Sequence, residues 1–334
     1  MIISRSPFRI SFFGGGTDYP AWFKSHPGAV LSSSIDKYCY LTCRYLPPFF
    51  EHRSRILYSK IELVKSNQEI EHPVVRSALD YLRIERGVEI HHDSDLPART
   101  GIGSSSTFAV GLLNALYGLK QQMITKLQLA QDAITIEQKR LNEVVGCQDQ
   151  VVSAFGGLNR IDFHPNETFT VSPIILSQAR LDEFGQYLLL FFTGFTRIAS
   201  VVAREVVENT DRKSRLFGRM YDMVGEGVSL LTAGGALNPF GELLNEGWML
   251  KRELSDKIST PVIDEMYDQA RSAGAIGGKL LGAGGGGFML VFARPADHPS
   301  IIRRLHKLLH VPLSLEHSGS QIIFYQPDDT RERV

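Results

Sequence analysis

The sequence contains little cysteine and no recognisable zinc or disulfide pattern. Its 334 residues include three cysteines, which form no CxxC pair and have no histidine at zinc spacing. The ten histidines include no HExxH motif. We therefore expect three reduced and mostly buried thiols.

The sequence also lacks an excess of charge of either sign and lacks long apolar runs. Lysine plus arginine and aspartate plus glutamate both number 36, so the basic surface typical of nucleic-acid-binding domains is missing. The first residues contain no apolar core of signal-peptide length, and no later stretch approaches the roughly 18 apolar residues of a membrane span. We therefore expect no nucleic-acid partner, no membrane span and a cytoplasmic location.

The composition is that of a folded protein with a sizeable core. Hydrophobic residues make up 43% of the chain and charged residues 22%. Because domains usually contain about 100–200 residues, the length favours two packed domains with a shared cleft, with one large domain as the alternative. We predict a first domain over residues 1–175 and a second over residues 176–334.

The order of predicted elements indicates mixed helices and strands rather than a regular alternation. Runs of β-branched and aromatic residues predict strands over residues 2–13 and 29–45, and the first of these ends at a glycine loop. Apolar spacing predicts one helix over residues 126–145 and a long helical stretch over residues 201–231. No internal repeat is visible. These patterns predict an α+β fold and argue against a doubly wound sheet.

The most informative segment is the loop of residues 97–107, PARTGIGSSST, which leads directly into a predicted helix. Glycines let the backbone approach an anion, and the start of a helix offers unpaired N–H groups at its positive dipole end. These features indicate a phosphate site, although capping of the helix by serine explains the same residues. The loop is neither GxxxxGKS/T nor a dinucleotide loop, because no lysine follows Gly103 and Ser106 replaces the third glycine.

A second glycine-rich segment, residues 277–287, contains a GxGxxG pattern at Gly282, Gly284 and Gly287. A dinucleotide site requires this pattern between a strand and a following helix. Here the periodicity predicts a helix before the glycines and a strand after them. The pattern therefore argues against a hydride-transfer enzyme.

Two acidic residues are candidates for metal binding or catalysis. Glu137 lies on the apolar stripe of its predicted helix, where a carboxylate must be paired or bound to a cation such as Mg²⁺. A buried ion pair with lysine or arginine is the alternative. Asp149 lies at the start of a short helix, where an ionised carboxylate can orient or deprotonate a hydroxyl, or can simply cap the helix.

Three segments in this order resemble the motifs of the GHMP kinases, the superfamily named for galactokinase, homoserine kinase, mevalonate kinase and phosphomevalonate kinase. Residues 7–19, which include GGGTDY, are similar to the first motif, and residues 97–107 are similar to the second. Residues 279–288, KLLGAGGGGF, are similar to the third, so the resemblance spans most of the chain. It implies a two-domain α+β fold with an ATP cleft between the domains, and ATP and Mg²⁺ as cofactors.

Carried over position by position, the resemblance implies a role for each matching residue. Ser104 and Glu137 would hold Mg²⁺. Asp149 would be the catalytic aspartate, with Arg9 as the basic residue beside it. The segment that wraps the ATP phosphates would comprise Pro97, Gly101, Ile102, Gly103, Ser104, Ser105 and Ser106. The acceptor side of the site would comprise Gly15, Gly16, Thr17, Asp18, Thr193, Gly284 and Gly285.

Within the superfamily, the stretches GGGTDYP, SSIDKY, GCQDQ and TGFTRIA are most similar to the D-glycero-D-manno-heptose 7-phosphate kinases, and fucokinases are also similar. The resemblance implies phosphorylation of an anomeric hydroxyl. A heptose 7-phosphate would need a cationic pocket, for which Lys37 and Arg197 are candidates because apolar residues flank each of them; a solvated surface role is the alternative. We expect a monomer or a homodimer with a small sugar or sugar phosphate and ATP as its ligands.

Three alternatives remain at this level. The first is a sugar 1-kinase that acts on fucose or galactose. Galactokinases have Gly-Glu-His before Thr-Asp, whereas this sequence has three glycines, which argues against galactose. A sugar sensor without catalysis is the second, and retention of Ser104, Glu137 and Asp149 argues against it. An isoprenoid-pathway kinase or decarboxylase is the third, and the galactokinase-like Thr17-Asp18-Tyr19 favours sugars instead.

Overall fold

The computed structural model describes residues 1–194 and 199–327, and of residues 199–201 the backbone alone. In this part of the chain the strands are β1 (Ile2–Phe13), β2 (Gly28–Tyr45), β3 (Ser54–Leu57), β4 (Ile61–Val64), β5 (Val88–Ser94), β6 (Leu158–Phe163), β7 (Phe169–Pro173), β8 (Leu188–Phe192), β9 (Gly277–Leu280), β10 (Phe288–Phe292), β11 (Leu309–Val311) and β12 (Gln321–Tyr325). The α-helices are α1 (Pro20–Phe23), α2 (Pro73–Tyr81), α3 (Ser104–Leu119), α4 (Lys126–Ile134), α5 (Gln148–Phe155), α6 (Gln178–Gln186), α7 (Ala199–Glu208), α8 (Ser214–Thr232), α9 (Asn238–Glu253), α10 (Pro261–Ser272) and α11 (His298–Arg304).

The larger sheet has eight strands. Its main path runs β12-β1-β2-β5-β3-β4, and β6 and β7 extend it beside the first half of β2. Strand β2 pairs with two strands along the same edge: residues 28–33 pair with β6, and residues 39–45 pair with β5. All pairings are antiparallel except that of β3 with β5. The antiparallel, irregularly ordered sheet agrees with the predicted α+β class.

The smaller sheet has four antiparallel strands in the order β11-β8-β10-β9. Its two central strands, LLLFF in β8 and FMLVF in β10, are almost wholly apolar and buried. Strands covered on both faces have this continuous apolar pattern, since neither set of alternating side chains faces water.

Helices cover both faces of the larger sheet, and two adjacent residues of β2 show it. The Ser32 hydroxyl contacts Gln148 of α5, whereas Leu31 packs beside Gly227 of α8. Successive strand residues point to opposite faces, so α5 and α8 lie on opposite sides of the sheet. No helix in the described part of the chain has the length and apolar character that crossing a bilayer requires.

An aromatic cluster joins the two sheets. The ring of Phe240 on α9 lies 5.5 Å from Phe12 of β1 and 5.3 Å from Phe292 of β10, between ring centroids. Phe184 of α6 completes the cluster at 5.0 Å from Phe240. Aromatic rings bury large areas and add about 0.5–1.5 kcal/mol per pair beyond that burial. The end of β1 is therefore held firmly between the two sheets.

The structure corrects the predicted helix over residues 126–145. Helix α4 ends at Ile134, the chain continues as a π-helical turn over Thr135–Arg140, and Asn142 has a left-handed φ of 53°. The apolar spacing of an α-helix and of a π-helical turn is too similar to separate in sequence over one turn. Likewise, the helical stretch predicted over residues 201–231 is two helices, α7 and α8.

The C-terminal strand changes the predicted division of the chain at residue 175. Strand β12 pairs with β1 at the edge of the larger sheet, so its residues belong with the N-terminal part of the fold. Upstream of it, Ser314 exchanges two backbone and side-chain hydrogen bonds with Asp36 of β2. A single boundary in sequence therefore does not describe this fold.

Candidate active site

Arg9 and Asp149 form an ion pair where β1, the loop of residues 97–107 and α5 meet. The Arg9 guanidinium donates two hydrogen bonds of 2.7 Å to the Asp149 carboxylate and a third of 2.7 Å to the carbonyl of Gly101. Arg9 is 3% exposed, whereas the Asp149 side chain is 23% exposed. The arginine thus fixes the carboxylate from inside the protein, and the carboxylate remains reachable from solvent.

The loop of residues 97–107 has the backbone of an anion site. Gly101 and Gly103 adopt left-handed φ values of 81° and 78°, and Gly103 is the N-cap of α3 without any side-chain cap. A Cβ atom on Gly103 would lie 3.2 Å from the Asp149 carboxylate, so glycine keeps the loop beside the acid. Ile102 is fully buried and anchors the loop, while Pro97 and Ser105 are exposed. The uncapped helix start beside Asp149 is suited to binding phosphate.

Glu137 lies on the π-helical turn and is fully buried. Gln150 of α5 donates a 2.5 Å hydrogen bond to its Oε2, but its Oε1 has no hydrogen-bond partner in the described protein. Burial raises the pKa of the Glu137 carboxyl to about 7, against opposing contributions from Ser106 and Gln150. An orphaned buried carboxylate oxygen fits a divalent cation such as Mg²⁺, which prefers oxygen ligands.

The serine beside Glu137 differs from the one expected. Ser106 acts to lower the pKa of the Glu137 carboxyl and so lies near it, whereas the Ser104 hydroxyl accepts the N–H of Arg99 at 3.0 Å. Sequence reasoning missed Ser106 as a partner of Glu137, and it also missed Gln150. The signal for Gln150 was its position one residue after Asp149.

Asp18 and Thr17, which were expected on the acceptor side, form buried hydrogen bonds within the glycine loop. Asp18 is 1% exposed, and its two carboxylate oxygens accept the N–H groups of Gly16 at 2.9 Å and Gln148 at 3.2 Å. Burial raises the pKa of the Asp18 carboxyl. Thr17 is fully buried, and its hydroxyl lies 2.7 Å from the carbonyl oxygen of Ala29. Both side chains hold the glycine loop in place, and a role for them in acceptor binding stays a prediction.

The glycine-rich segment of residues 277–287, called here the third glycine segment because it contains the third motif, packs against the loop of residues 97–107. That loop is called here the phosphate loop. The third glycine segment connects the antiparallel strands β9 and β10; the predicted helix is α10, which ends at Ser272, and the short strand β9 lies between that helix and the glycines. A Cβ atom on Gly282 would lie 2.4 Å from the Cα of Gly101, and one on Gly287 would lie 2.1 Å from the carbonyl oxygen of Thr100. The two loops pack backbone against backbone, which only glycine allows.

Three further residues expected on the acceptor side belong to this packing. The Gly285 N–H bonds to the carbonyl of Ile258 at 2.8 Å, and Gly284 is buried against the same residue. The Thr193 hydroxyl lies 2.9 Å from the carbonyl oxygen of Gly287 and is buried. These contacts show that Thr193, Gly284 and Gly285 support the loop, and their place on the acceptor side stays a prediction.

Two buried lysines, both missed as site residues from the sequence, hold these loops from behind. Lys279 donates to the carbonyl of Phe12 at 2.9 Å, at the end of β1. Lys251 of α9 donates to the carbonyl of Leu280 at 2.9 Å and to that of Gly282. Burial, together with the nearby Arg9, lowers the pKa of the Lys279 amine to about 7, and burial also lowers that of Lys251. The signal was a lysine within an otherwise apolar and glycine-rich run.

Of the two residues expected to bind an acceptor phosphate, only Lys37 lies in the described part of the chain. The Lys37 ammonium pairs with its neighbour Asp36 at 2.9 Å, and no contact in the described residues links it to Arg9 or Asp149. Arg197 lies outside the described residues. The hypothesis of a cationic pocket formed by these two residues therefore receives no support.

Several known proteins are similar to most of this chain. A D-glycero-alpha-D-manno-heptose 7-phosphate kinase of Campylobacter jejuni is 26% identical over 92% of this chain and 93% of its own. A bifunctional fucokinase/GDP-fucose pyrophosphorylase of Arabidopsis thaliana is 25% identical over 89% of this chain and 30% of its own. The crystal structure of a D-glycero-D-manno-heptose 1-phosphate kinase from Bacteriodes thetaiotaomicron has the same fold, with a TM-score of 0.79, 23% identity and coverage of 98% and 100% of the two chains.

Two domain families match the chain in order. The GHMP kinases N terminal domain matches residues 59–157, which include the phosphate loop, Glu137 and Asp149. The GHMP kinases C terminal domain matches residues 229–310, which include the third glycine segment. The two matches together cover more than half of the sequence. They include the phosphate loop and the third glycine segment, which pack against each other near Asp149. The chain belongs to the GHMP kinase family.

Proposed function

We propose that this GHMP kinase transfers the γ-phosphoryl group of ATP to the anomeric hydroxyl of a sugar, and that D-glycero-D-manno-heptose 7-phosphate is its acceptor. The observation that carries the proposal is the Asp149 carboxylate, held by two bonds from Arg9 beside Gly103 at the start of α3. An acid next to a phosphate loop is the arrangement that phosphoryl transfer to an alcohol requires. The heptose acceptor is supported by similarity to the Campylobacter jejuni enzyme over nearly both full chains.

The phosphate loop supplies binding and charge stabilisation in this proposal. ATP lies in the cleft between the two sheets, with its phosphates at the N–H groups that open α3. Glu137 with Ser104 or Ser106 would hold Mg²⁺, which neutralises charge on the phosphate oxygens when bound. The orphaned Oε1 of Glu137 is the observation that favours a cation there.

Asp149 positions the attacking hydroxyl. Its carboxylate can accept a hydrogen bond from the anomeric hydroxyl, and Arg9 prevents it from rotating away. Because a carboxylate is a weak base toward an alcohol, orientation and electrostatic stabilisation carry most of the effect, and full proton removal carries little. Arg9 and the loop amides would stabilise the charge that develops on the transferred group.

An acceptor panel tests the proposed function. Purified protein is incubated with ATP, Mg²⁺ and either heptose 7-phosphate, fucose, galactose or mevalonate, and ADP release is measured. We expect the highest kcat/KM with heptose 7-phosphate and a product phosphorylated at the anomeric oxygen. Preference for fucose or galactose would change the acceptor and keep the reaction, whereas sugar binding without ADP release would identify a sensor.

Substitution of Asp149 tests the assignment of the acid. Asp149→Asn keeps the size of the side chain but removes the charge, and we expect kcat to fall by about 10²–10⁴-fold while nucleotide binding is retained. Asp162→Asn is the matched control, because Asp162 forms a similar two-bond pair with Arg160 at 25% exposure. Calorimetric titration with ATP and steady-state kinetics separate the two effects. Near-normal turnover of Asp149→Asn would refute the assignment.

A further inference from the structure

The glycine loop after β1 leaves an open space lined by two polar side chains. A Cβ atom on Gly15 would lie 3.7 Å from the Ser11 hydroxyl and 3.7 Å from the Gln148 side-chain nitrogen. Those are the nearest atoms to that point, so the space over Gly15 is unfilled. Gly15 is also half-buried, so the space is within reach of solvent.

Ser11 lacks the partner that a buried hydroxyl normally has. It is 5% exposed, and its Oγ has no hydrogen-bond partner in the described protein. An unpaired buried polar group is unfavourable, so such groups usually bind a ligand or an ordered water.

Gln148 presents donors to the same space. Its Oε1 lies 3.4 Å from the Ser32 hydroxyl, which orients the amide so that the NH₂ group faces Gly15. Its backbone N–H is bound by Asp18, so the residue itself is fixed at the start of α5, immediately before Asp149. The space over Gly15 is therefore adjacent to the acid that would position the attacking hydroxyl.

We infer that Ser11 and Gln148 form a subsite over Gly15 that binds a hydroxyl group of the acceptor and helps to select it. The inference rests on the proposed function, because it concerns the acceptor of that reaction. A hydroxyl suits the pair, since the NH₂ group of Gln148 only donates and the serine hydroxyl can donate or accept. A carboxylate does not suit it, because Asp18 and Asp149 lie beside it and would repel a second negative charge.

Gly15 is the position that keeps the subsite open, and it can be filled without straining the backbone. Its φ is not left-handed, and an alanine Cβ would make only ordinary contacts with Ser11 and Gln148. The neighbouring glycines cannot be replaced by alanine without strain. A Cβ on Gly14 would lie 1.9 Å from the carbonyl oxygen of Ala29, and Gly16 has a φ of 106°. Gly15→Ala therefore blocks the subsite in a folded protein.

The test compares Gly15→Ala and Ser11→Ala with Gly185→Ala, a helical control with open space around it. Binding of heptose 7-phosphate, mannose, fucose and galactose is measured by calorimetry, and acceptor and ATP kinetics are measured separately. For the sugar that binds most tightly, we expect Gly15→Ala and Ser11→Ala each to weaken acceptor affinity by about ten-fold. The KM for ATP, and every constant of Gly185→Ala, should stay within about two-fold of wild type.

Monodeoxy analogues of that sugar identify the bonded hydroxyl. One analogue should bind the wild-type protein about ten-fold more weakly than the parent sugar and should be insensitive to Ser11→Ala. Unchanged acceptor affinity in both variants would overturn the subsite while the kinase function stands. If the two variants bind the sugar more weakly but the wild-type protein transfers no phosphoryl group to it, the subsite is supported and the proposed kinase function is refuted. If no sugar binds, both fail.

Discussion

Glu137 is the residue at which stability and function oppose each other most clearly. Its carboxyl is buried with one unpaired oxygen, and burial raises its pKa from an ordinary 4.5 to about 7. Ionised Glu137 therefore lowers the stability of the metal-free fold above pH 7, and this effect vanishes as the pH falls toward 4.5. A buried charge kept at this expense is typical of a ligand for a cation.

Replacing Glu137 with glutamine should stabilise the metal-free protein and impair its use of magnesium. We expect Glu137→Gln to raise the free energy of unfolding by about 1–3 kcal/mol at pH 8, with the gain shrinking as the pH approaches 5. The Mg²⁺ dependence of nucleotide binding should weaken by about ten-fold or more. Denaturant unfolding in EDTA and titration with Mg²⁺ and ATP provide the measurements.

Glu62 offers the matched control for that substitution. It is also buried, but its carboxylate accepts the N–H groups of Glu71 and His72 and the hydroxyl of Tyr58. Glu62→Gln places an NH₂ group against donors and should destabilise the protein. Equal effects of the two substitutions would contradict our account of Glu137.

At the scale of elements, the site depends on two glycine loops that touch through their backbones. The phosphate loop before α3 and the loop between β9 and β10 approach so closely that a side chain on Gly101, Gly282 or Gly287 has no room. Phe288 also donates its N–H to the carbonyl of Thr100 at 3.1 Å. The third motif therefore shapes the phosphate loop from behind.

An alanine at Gly287 should separate these loops. Its Cβ would meet the Thr100 carbonyl oxygen at 2.1 Å, and its φ of 105° is unfavourable for any side chain. We expect Gly287→Ala to reduce the free energy of unfolding by about 3 kcal/mol or more and to weaken ATP binding. Gly225→Ala in α8, where a Cβ has open space, should change stability by less than about 1 kcal/mol, in the stabilising direction. An unchanged melting temperature for Gly287→Ala would argue against the close contact.

At the scale of the whole molecule, the first strand and the last described strand lie side by side. Strand β12 pairs with β1, and the N–H of Gln326 bonds to the carbonyl of Met1 at 2.9 Å. Since β1 also carries Arg9, Ser11 and the glycine loop, the C-terminal strand supports the same strand that builds the site. The last described strand is thus part of the N-terminal half of the fold.

Adjacent residues of β12 provide a sharp test of this placement. Ile322 is partly buried beside Ile2 and Gly118, whereas Ile323 is 49% exposed. We expect Ile322→Asp to destabilise the protein by about 2–3 kcal/mol and Ile323→Asp by less than about 0.5 kcal/mol. Thermal unfolding measures both, and a similar effect of the two would show that β12 does not lie in this register.

The sequence by itself determined the α+β class, the strand over Ile2–Phe13 and the position of the phosphate loop, because each depends on local pattern and on residues with special backbone freedom. These features could be predicted because residues close together in the sequence encode them. The GHMP kinase assignment made on the motifs is confirmed, and the roles that the resemblance implies for Asp149, Arg9 and Glu137 stay predictions.

Only the tertiary structure decided which of the candidate polar groups are free to bind a ligand. Thr17, Asp18 and Thr193 were expected on the acceptor side, yet their hydrogen bonds are satisfied by the backbone around them. Ser11 was not singled out within its motif, yet its hydroxyl is left unpaired beside an open space. Whether a buried donor or acceptor is satisfied depends on residues far away in sequence, so no local pattern can encode it.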